Sequence, residues 1–252
     1  MTNLATALTE AAQRYPQRPA VLLDGRLLNF AELDEYSARV AGGLLAHGVR
    51  PGDRVGLSLH RSCVYPVLYF GALRVGAIVM PLYFRSRPGA VRPRGAARGA
   101  RLVFVSDDAE RARESDTGDT TFIPVGPDFL DQLAFWPHRP GVVRRADGDP
   151  AVTLGAGEPA VKPQATTLTH AFLRANASAT ARTLRDEPAA EADDRPGRVP
   201  AFSSTGRTHG LNAAILAGAC LPPGPEPAAP ATRTARDEQA GVRPALTGSG
   251  ER

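Results

Sequence analysis

The chain is short of lysine, of aromatic side chains and of sulfur. Of thirty basic residues in 252, one, Lys162, is lysine; the others are arginine. The net charge is only +4. A dedicated nucleic-acid binder needs a denser basic surface, so no nucleic-acid partner is expected. Cysteine occurs twice, at Cys63 and Cys220, with no metal-binding or redox spacing. A disulfide framework is excluded, and a reducing, cytoplasmic setting fits. The five histidines are dispersed without ligand spacing and read as surface or helix-end residues, so no metal site is expected. Asp107-Asp108 and Asp193-Asp194 read as solvated loop acids. Ser203-Ser204 has no recognisable base, and no catalytic residue is assigned.

Long apolar runs are nearly absent too. Residues 63–84 carry a single charge, Arg74. A central arginine costs ~2.5–3.5 kcal/mol in a bilayer. Pro66, Gly71, Gly76 and Pro81 also punctuate the run, which suits a helix followed by a strand. No membrane span is expected, and the N-terminus has no leader pattern.

Aromatic residues make up 6 %, and only Phe172 and Phe202 follow Trp136. Glycine and proline, at 25 and 23 residues, reach about 19 % against a usual ~12 %. The expectation is an N-terminal half with a real core and a poorly packed C-terminal part. Residues 222–252 hold six prolines and no aromatic residue, and read as disordered.

Periodicity fills in the first half. Residues 4–14 form an amphipathic helix with Asn3 as its cap. Asp24-Gly25 joins two short strands. Asn29 and Glu32 make a capping box for a helix over 31–47, stopped by Gly48. After the turn 50–53 come a strand (54–59), a helix from Ser62 to Arg74, and strands at 77–81 and 101–105. Such alternation predicts a parallel sheet with right-handed crossovers. Residues 85–101 hold six arginines and no acid and read as a solvated basic loop; 107–120 is a polar loop. Further on, 151–154 is a strand, 166–185 a helix and 211–221 a small apolar helix.

Asn3-Leu4-Ala5, Arg14-Tyr15-Pro16 and Phe30-Ala31-Glu32-Leu33-Asp34 resemble the opening of adenylate-forming enzymes, chiefly acyl-CoA synthetases. The match is densest in Gly48-Val49-Arg50-Pro51-Gly52-Asp53-Arg54-Val55. It continues through Tyr69-Phe70-Gly71-Ala72-Leu73-Arg74-Val75-Gly76-Ala77 to Pro81-Leu82. It reaches about Cys220, where the later motifs of the family are not found. The resemblance implies Mg-ATP, a carboxylic-acid substrate activated to an acyl-adenylate, and coenzyme A as acceptor. The protein partner is left unknown.

The family's phosphate loop has the form T-S-G-T-T-G-x-P-K-G. Glycine N–H groups, hydroxyls and a lysine gather around phosphate oxygens. Here its flanks persist as Asp149-Pro150-Ala151-Val152 and Leu168-Thr169-His170-Ala171. Between them lies Ala156-Gly157-Glu158-Pro159-Ala160-Val161-Lys162-Pro163-Gln164-Ala165. Glu158 brings negative charge, and Pro159 removes a donor. Ala160 and Val161 replace a hydroxyl and a glycine. Gln164 stands at the lysine position, and Lys162, two residues earlier, is the only cation near it. Gly157, Lys162 and Thr169 are the vestigial nucleotide-binding residues this implies. Val199-Pro200-Ala201-Phe202-Ser203 resembles the family's P-L-F-H segment with serine for histidine. Gly155 to Ala160 also fits a dinucleotide fingerprint, but no acid follows at ribose-reading distance, so NAD and FAD are not expected.

The expected architecture is therefore an α/β fold: the partial N-terminal domain of an adenylate-forming enzyme. The subdivision is 1–135 (α/β subdomain), 136–220 (degenerate AMP-binding segment) and 221–252 (tail). The expected function is that of a truncated, inactive relative of acyl-CoA ligases. Two alternatives stand beside it: an interaction or regulatory protein built on the subdomain, and the product of a damaged gene.

Overall fold

The computed structural model describes residues 3–23, 25–59, 63–82, 99–106, 120–154, 166–186 and 204–221. Helix α1 (Thr6–Arg14) leads into a two-stranded antiparallel hairpin, β1 (Pro19–Leu23) and β2 (Arg26–Asn29). Leu23 pairs with Arg26 across a two-residue turn, and Gly25 takes a φ of 71°, which costs a glycine little. Helix α2 (Phe30–Ala46) starts at the expected capping box. Asn29 Oδ1 accepts from the Glu32 N–H at 2.8 Å, and a Glu32 carboxylate oxygen accepts from the Asn29 N–H at 2.9 Å. Its end is a Schellman motif: Gly48 N–H donates to Leu45 and Val49 N–H to Leu44, with Gly48 at φ 76°.

Strand β3 (Arg54–Ser58), helix α3 (Val64–Arg74) and strands β4 (Ile78–Pro81) and β5 (Leu102–Ser106) follow. Next come β6 (Thr121–Val125), the short helix α4 (Phe129–Gln132) and a 3-10 turn over Leu133–Phe135. The chain continues through β7 (Pro150–Leu154), β8 (Thr166–Thr169), α5 (His170–Asp186) and α6 (Ser204–Ala217). The main sheet has the order β6-β5-β3-β4-β7-β8. All neighbours are parallel except the β7–β8 pair. The parallel α/β expectation holds.

Three sequence expectations are corrected. Strand β6 and the turn of helix after it occur where no element was foreseen; Thr121 to Val125 lacks a clean alternation, and register with β5 makes it a strand. Residues 166–169 form a strand, and the helix begins at His170. Leu168 continues the helical apolar spacing of Phe172 and Ala175, so periodicity alone hid the break; pairing with β7 decides it. Helix α6 starts at Ser204, earlier than 211. The readings of Ser62 as a cap, of 85–98 and 107–119 as loops and of 222–252 as a disordered tail lie outside the described residues.

The run with a single charge is α3 followed by β4. Arg74 is fully buried, and its guanidinium forms an ion pair with the Asp34 carboxylate on α2. It also donates to Ser37 Oγ at 2.9 Å and to the Pro140 carbonyl at 2.6 Å. Burial pushes the Asp34 carboxyl up from its ordinary range in spite of that neighbour. No helix among the described residues is long and apolar enough to cross a membrane.

The main core lies between the sheet and the helices α1, α2, α3 and α6. Val55 and Leu57 point into it; Gly56 points the other way. A Cβ on Gly56 would come within 2.9 Å of Leu82 and of Val103, so its absence lets those two meet across β3. They belong to a smaller cluster with Met80 and Ala100. The segment after the 3-10 turn runs back along α2. Trp136 and Pro137 occupy the space where Gly43 and Gly42 lack side chains. Ala151, Val152, Leu168, Leu173, Leu211 and Ile215 join the same core, so the described C-terminal elements are tied to the N-terminal ones.

Candidate functional site

The chain leaves β3 toward β4 but leaves β5 toward β6, so the direction of winding reverses between β3 and β5. Ligands in open α/β sheets bind beyond the carboxyl ends of strands near such a reversal. β7 lies two strands from β3, and residues 155–165, outside the described residues, follow its carboxyl end in the chain. That segment joins β7 to β8, whose last described pair is Leu154 with Thr166. Strand β7 is anchored on both sides, pairing Val79 with Val152 toward β4 and Val152 with Leu168 toward β8. The frame of a phosphate loop is present: a buried strand, a returning strand and a helix start.

Of the three residues the family resemblance indicates, Gly157 and Lys162 lie outside the described residues. Thr169 is described and has a structural task. Its Oγ1 accepts from the Phe172 N–H at 3.2 Å and so caps α5. Two further N–H groups of that helix start are taken by the preceding turn: His170 donates to the Asp149 carbonyl and Ala171 to the Asp147 carbonyl. Asp147 also holds Arg174 at 2.8 Å, and Asp149 lies 3.1 Å from Arg145 Nε. The first turn of α5 is thus saturated by protein.

His170 was expected at a surface or helix end. It is at a helix end but has no exposed surface. Its Nδ1 accepts from the Leu4 backbone N–H at 3.1 Å. No sequence signal marks this, because the partners are 166 residues apart. Asn3 is not the expected helix cap: α1 begins at Thr6, its N-cap position is Ala5, and no side chain caps it. Asn3 Oδ1 accepts from the Ala5 N–H, while its Nδ2 donates to the carbonyls of Leu73 at 2.6 Å and Val143 at 2.9 Å. The N-terminus is stitched to the end of α3, the approach to β7 and the start of α5.

A second buried polar contact joins α3 to α6. Asn212 Nδ2 donates to the Tyr69 hydroxyl at 3.0 Å, and Tyr65 stacks near Tyr69 with ring centroids 6.2 Å apart. Burial raises the Tyr69 pKa further above its ordinary 10. No group of three or more His, Cys, Asp or Glu among the described residues could hold a metal ion.

A mostly parallel α/β sheet whose winding reverses between neighbouring strands is a frame that nucleotide-binding α/β proteins use. Residues 8–240 match the model of the AMP-binding enzyme family, and the chain belongs to that family. The match extends beyond Cys220, where the residue-by-residue resemblance ends. The salicyl-AMP ligase / salicyl-S-ArCP synthetase of Mycobacterium tuberculosis is 33 % identical over 203 residues, covering 73 % of this chain and 36 % of that protein. Phosphinothricin tripeptide synthetase PhsC of Streptomyces viridochromogenes is 33 % identical over 159 residues, covering 56 % of this chain and 15 % of that protein. Among solved structures, a Mycobacterium tuberculosis fatty acyl CoA synthetase superposes with a TM-score of 0.66 at 21 % identity, over 88 % of this chain and 44 % of that one. The fold is therefore that of the N-terminal portion of adenylate-forming enzymes. The chain spans less than half the length of these relatives. They include peptide synthetases and carrier-protein ligases as well as acyl-CoA synthetases.

Proposed function

We propose that this chain is a catalytically silent member of the AMP-binding family that keeps the scaffold and has lost the phosphate grip. The family uses ATP, and its acyl-CoA synthetases use coenzyme A. The observation that carries the reading is the contrast within one hairpin. β7, β8, the Thr169 cap and the His170 contact are in place, yet the residues between the strands do not suit a triphosphate. Glu158 repels phosphate, Pro159 has no N–H to offer, and Val161 keeps the backbone from closing in as glycine does. Gln164 lacks the charge that a lysine supplies. These residues do not fit the nucleotide, so no catalytic step is assigned through ATP, magnesium or coenzyme A. The protein then works through its surface, as an interaction or regulatory unit. Neither Cys63 nor Cys220 forms a disulfide, which suits a cytoplasmic setting.

The test is acid-dependent ATP–pyrophosphate exchange by the folded chain over a panel of aliphatic, aryl and amino acids, beside binding of a fluorescent ATP analogue. No exchange above blank and no saturable binding are expected. Combining Glu158→Gly, Pro159→Thr, Val161→Gly and Gln164→Lys should restore analogue binding. Acid-dependent exchange by the unaltered chain overturns the proposal.

A further inference from the structure

His170 is a buried titratable group that the loop chemistry does not use. Because Nδ1 accepts the Leu4 N–H, it carries no proton, and the neutral ring holds its hydrogen at Nε2. Nε2 is itself buried and has no hydrogen-bond partner among the described residues. The charges facing the ring are Arg145, Asp147 and Asp149 from the segment ahead of β7, and Arg174 from α5. Both acids are engaged with those arginines. Residues 3–8, on the far side of the contact, carry no ionisable side chain. The positive end of the α5 dipole is also at the ring. Burial first, and Arg145 next, lower the pKa of His170 from 6.5 to about 4.

We propose that His170 is a proton-sensitive latch that docks the N-terminal segment, residues 3–14, onto the β7–β8 hairpin and the start of α5. A proton on Nδ1 removes the acceptor that Leu4 uses and sets two N–H groups against each other. The Leu4 contact is then lost, only the Asn3 bonds to Leu73 and Val143 and the apolar packing of Leu4 remain, and the seating of Leu8 and Ala11 against α2 and α6 weakens. The undocked imidazole protonates near 6.5 and the docked one near 4. Docking is therefore at full strength above 6.5. Between 6.5 and about 4 its equilibrium falls about tenfold per pH unit, because the undocked state binds the extra proton.

The experiment is histidine ¹⁵N NMR on the full chain, with amide hydrogen exchange between pH 7.5 and 4.5 corrected for intrinsic rates. The Nε2–H tautomer is expected at neutral pH. Protection of residues 3–14 should fall about tenfold per unit below 6.5 while α3 stays protected. His170→Asn keeps an oxygen acceptor near Nδ1 without titrating, so its N-terminal protection should stay flat with pH. His170→Ala should lose that protection at neutral pH. If the alanine variant does not fold, the asparagine variant and the wild-type tautomer carry the test. An Nδ1–H tautomer overturns the latch. So does flat protection in the wild type, parallel loss throughout the molecule, or an unchanged slope in His170→Asn.

Discussion

The α2–α3 layer and the β7–β8 hairpin resemble the family in different ways. In the layer, family-like residues are packing residues throughout. Phe70, Leu73, Arg74 and Gly76 fill, charge-balance or terminate, and Gly71 sits so close to Val40 that no side chain fits. In the hairpin, the family-like residues Val152, Leu168, Thr169 and His170 also hold backbone in place. The departures from the family motif noted in the sequence lie between the two strands of this hairpin, at residues 158–164, and in the 199–203 segment. Packing and ligand binding place separate demands on a sequence, and one can lapse while the other is met.

That contrast can be attacked where a charge is buried in the α2–α3 layer. The largest effect is expected from Asp34→Ala, which leaves the Arg74 charge buried without its partner. Stability should drop by about 3 kcal/mol in urea unfolding, whereas Arg74→Met should be much milder. A comparable loss for both would mean that shape, not charge balance, matters there. Gly43→Ala comes next. Its methyl would overlap the Trp136 ring, and a cost of about 1–3 kcal/mol is expected despite the better helix propensity of alanine. A quenched or shifted Trp136 fluorescence would report the displacement. The smallest effects pit the two regions against each other. Asn29→Ala removes one side of the α2 capping box, at about 1 kcal/mol, and Thr169→Ala removes the α5 cap, at about 0.5–1 kcal/mol. Comparable costs would show that the hairpin's framework is as well built as the layer's. A Thr169→Ala change with no effect on stability would put that framework in doubt.

Much of the first half was legible because its signals are local. A capping box lies within four residues, and Gly48 and Gly76 close helices by adopting positive φ. The β8 break at Thr169 was not legible, since an apolar period of three to four continues unbroken through residues 168–172. β6 was missed because its residues alternate poorly and only register with β5 specifies it. Of the site residues, Thr169 could be read from the motif, but its capping role could not. His170 stood beside it without any sign that it faces Leu4.

Sequence alone determined the family, the parallel sheet and the altered chemistry of the loop, because each rests on residue type and short spacing. Tertiary structure decided why Arg74 can sit in an apolar run, why Gly42 and Gly43 lack side chains, and which proton His170 keeps. Those answers depend on groups brought together from far apart in the chain. Burial then sets the energy of each contact, and short spacing does not show which distant groups supply it.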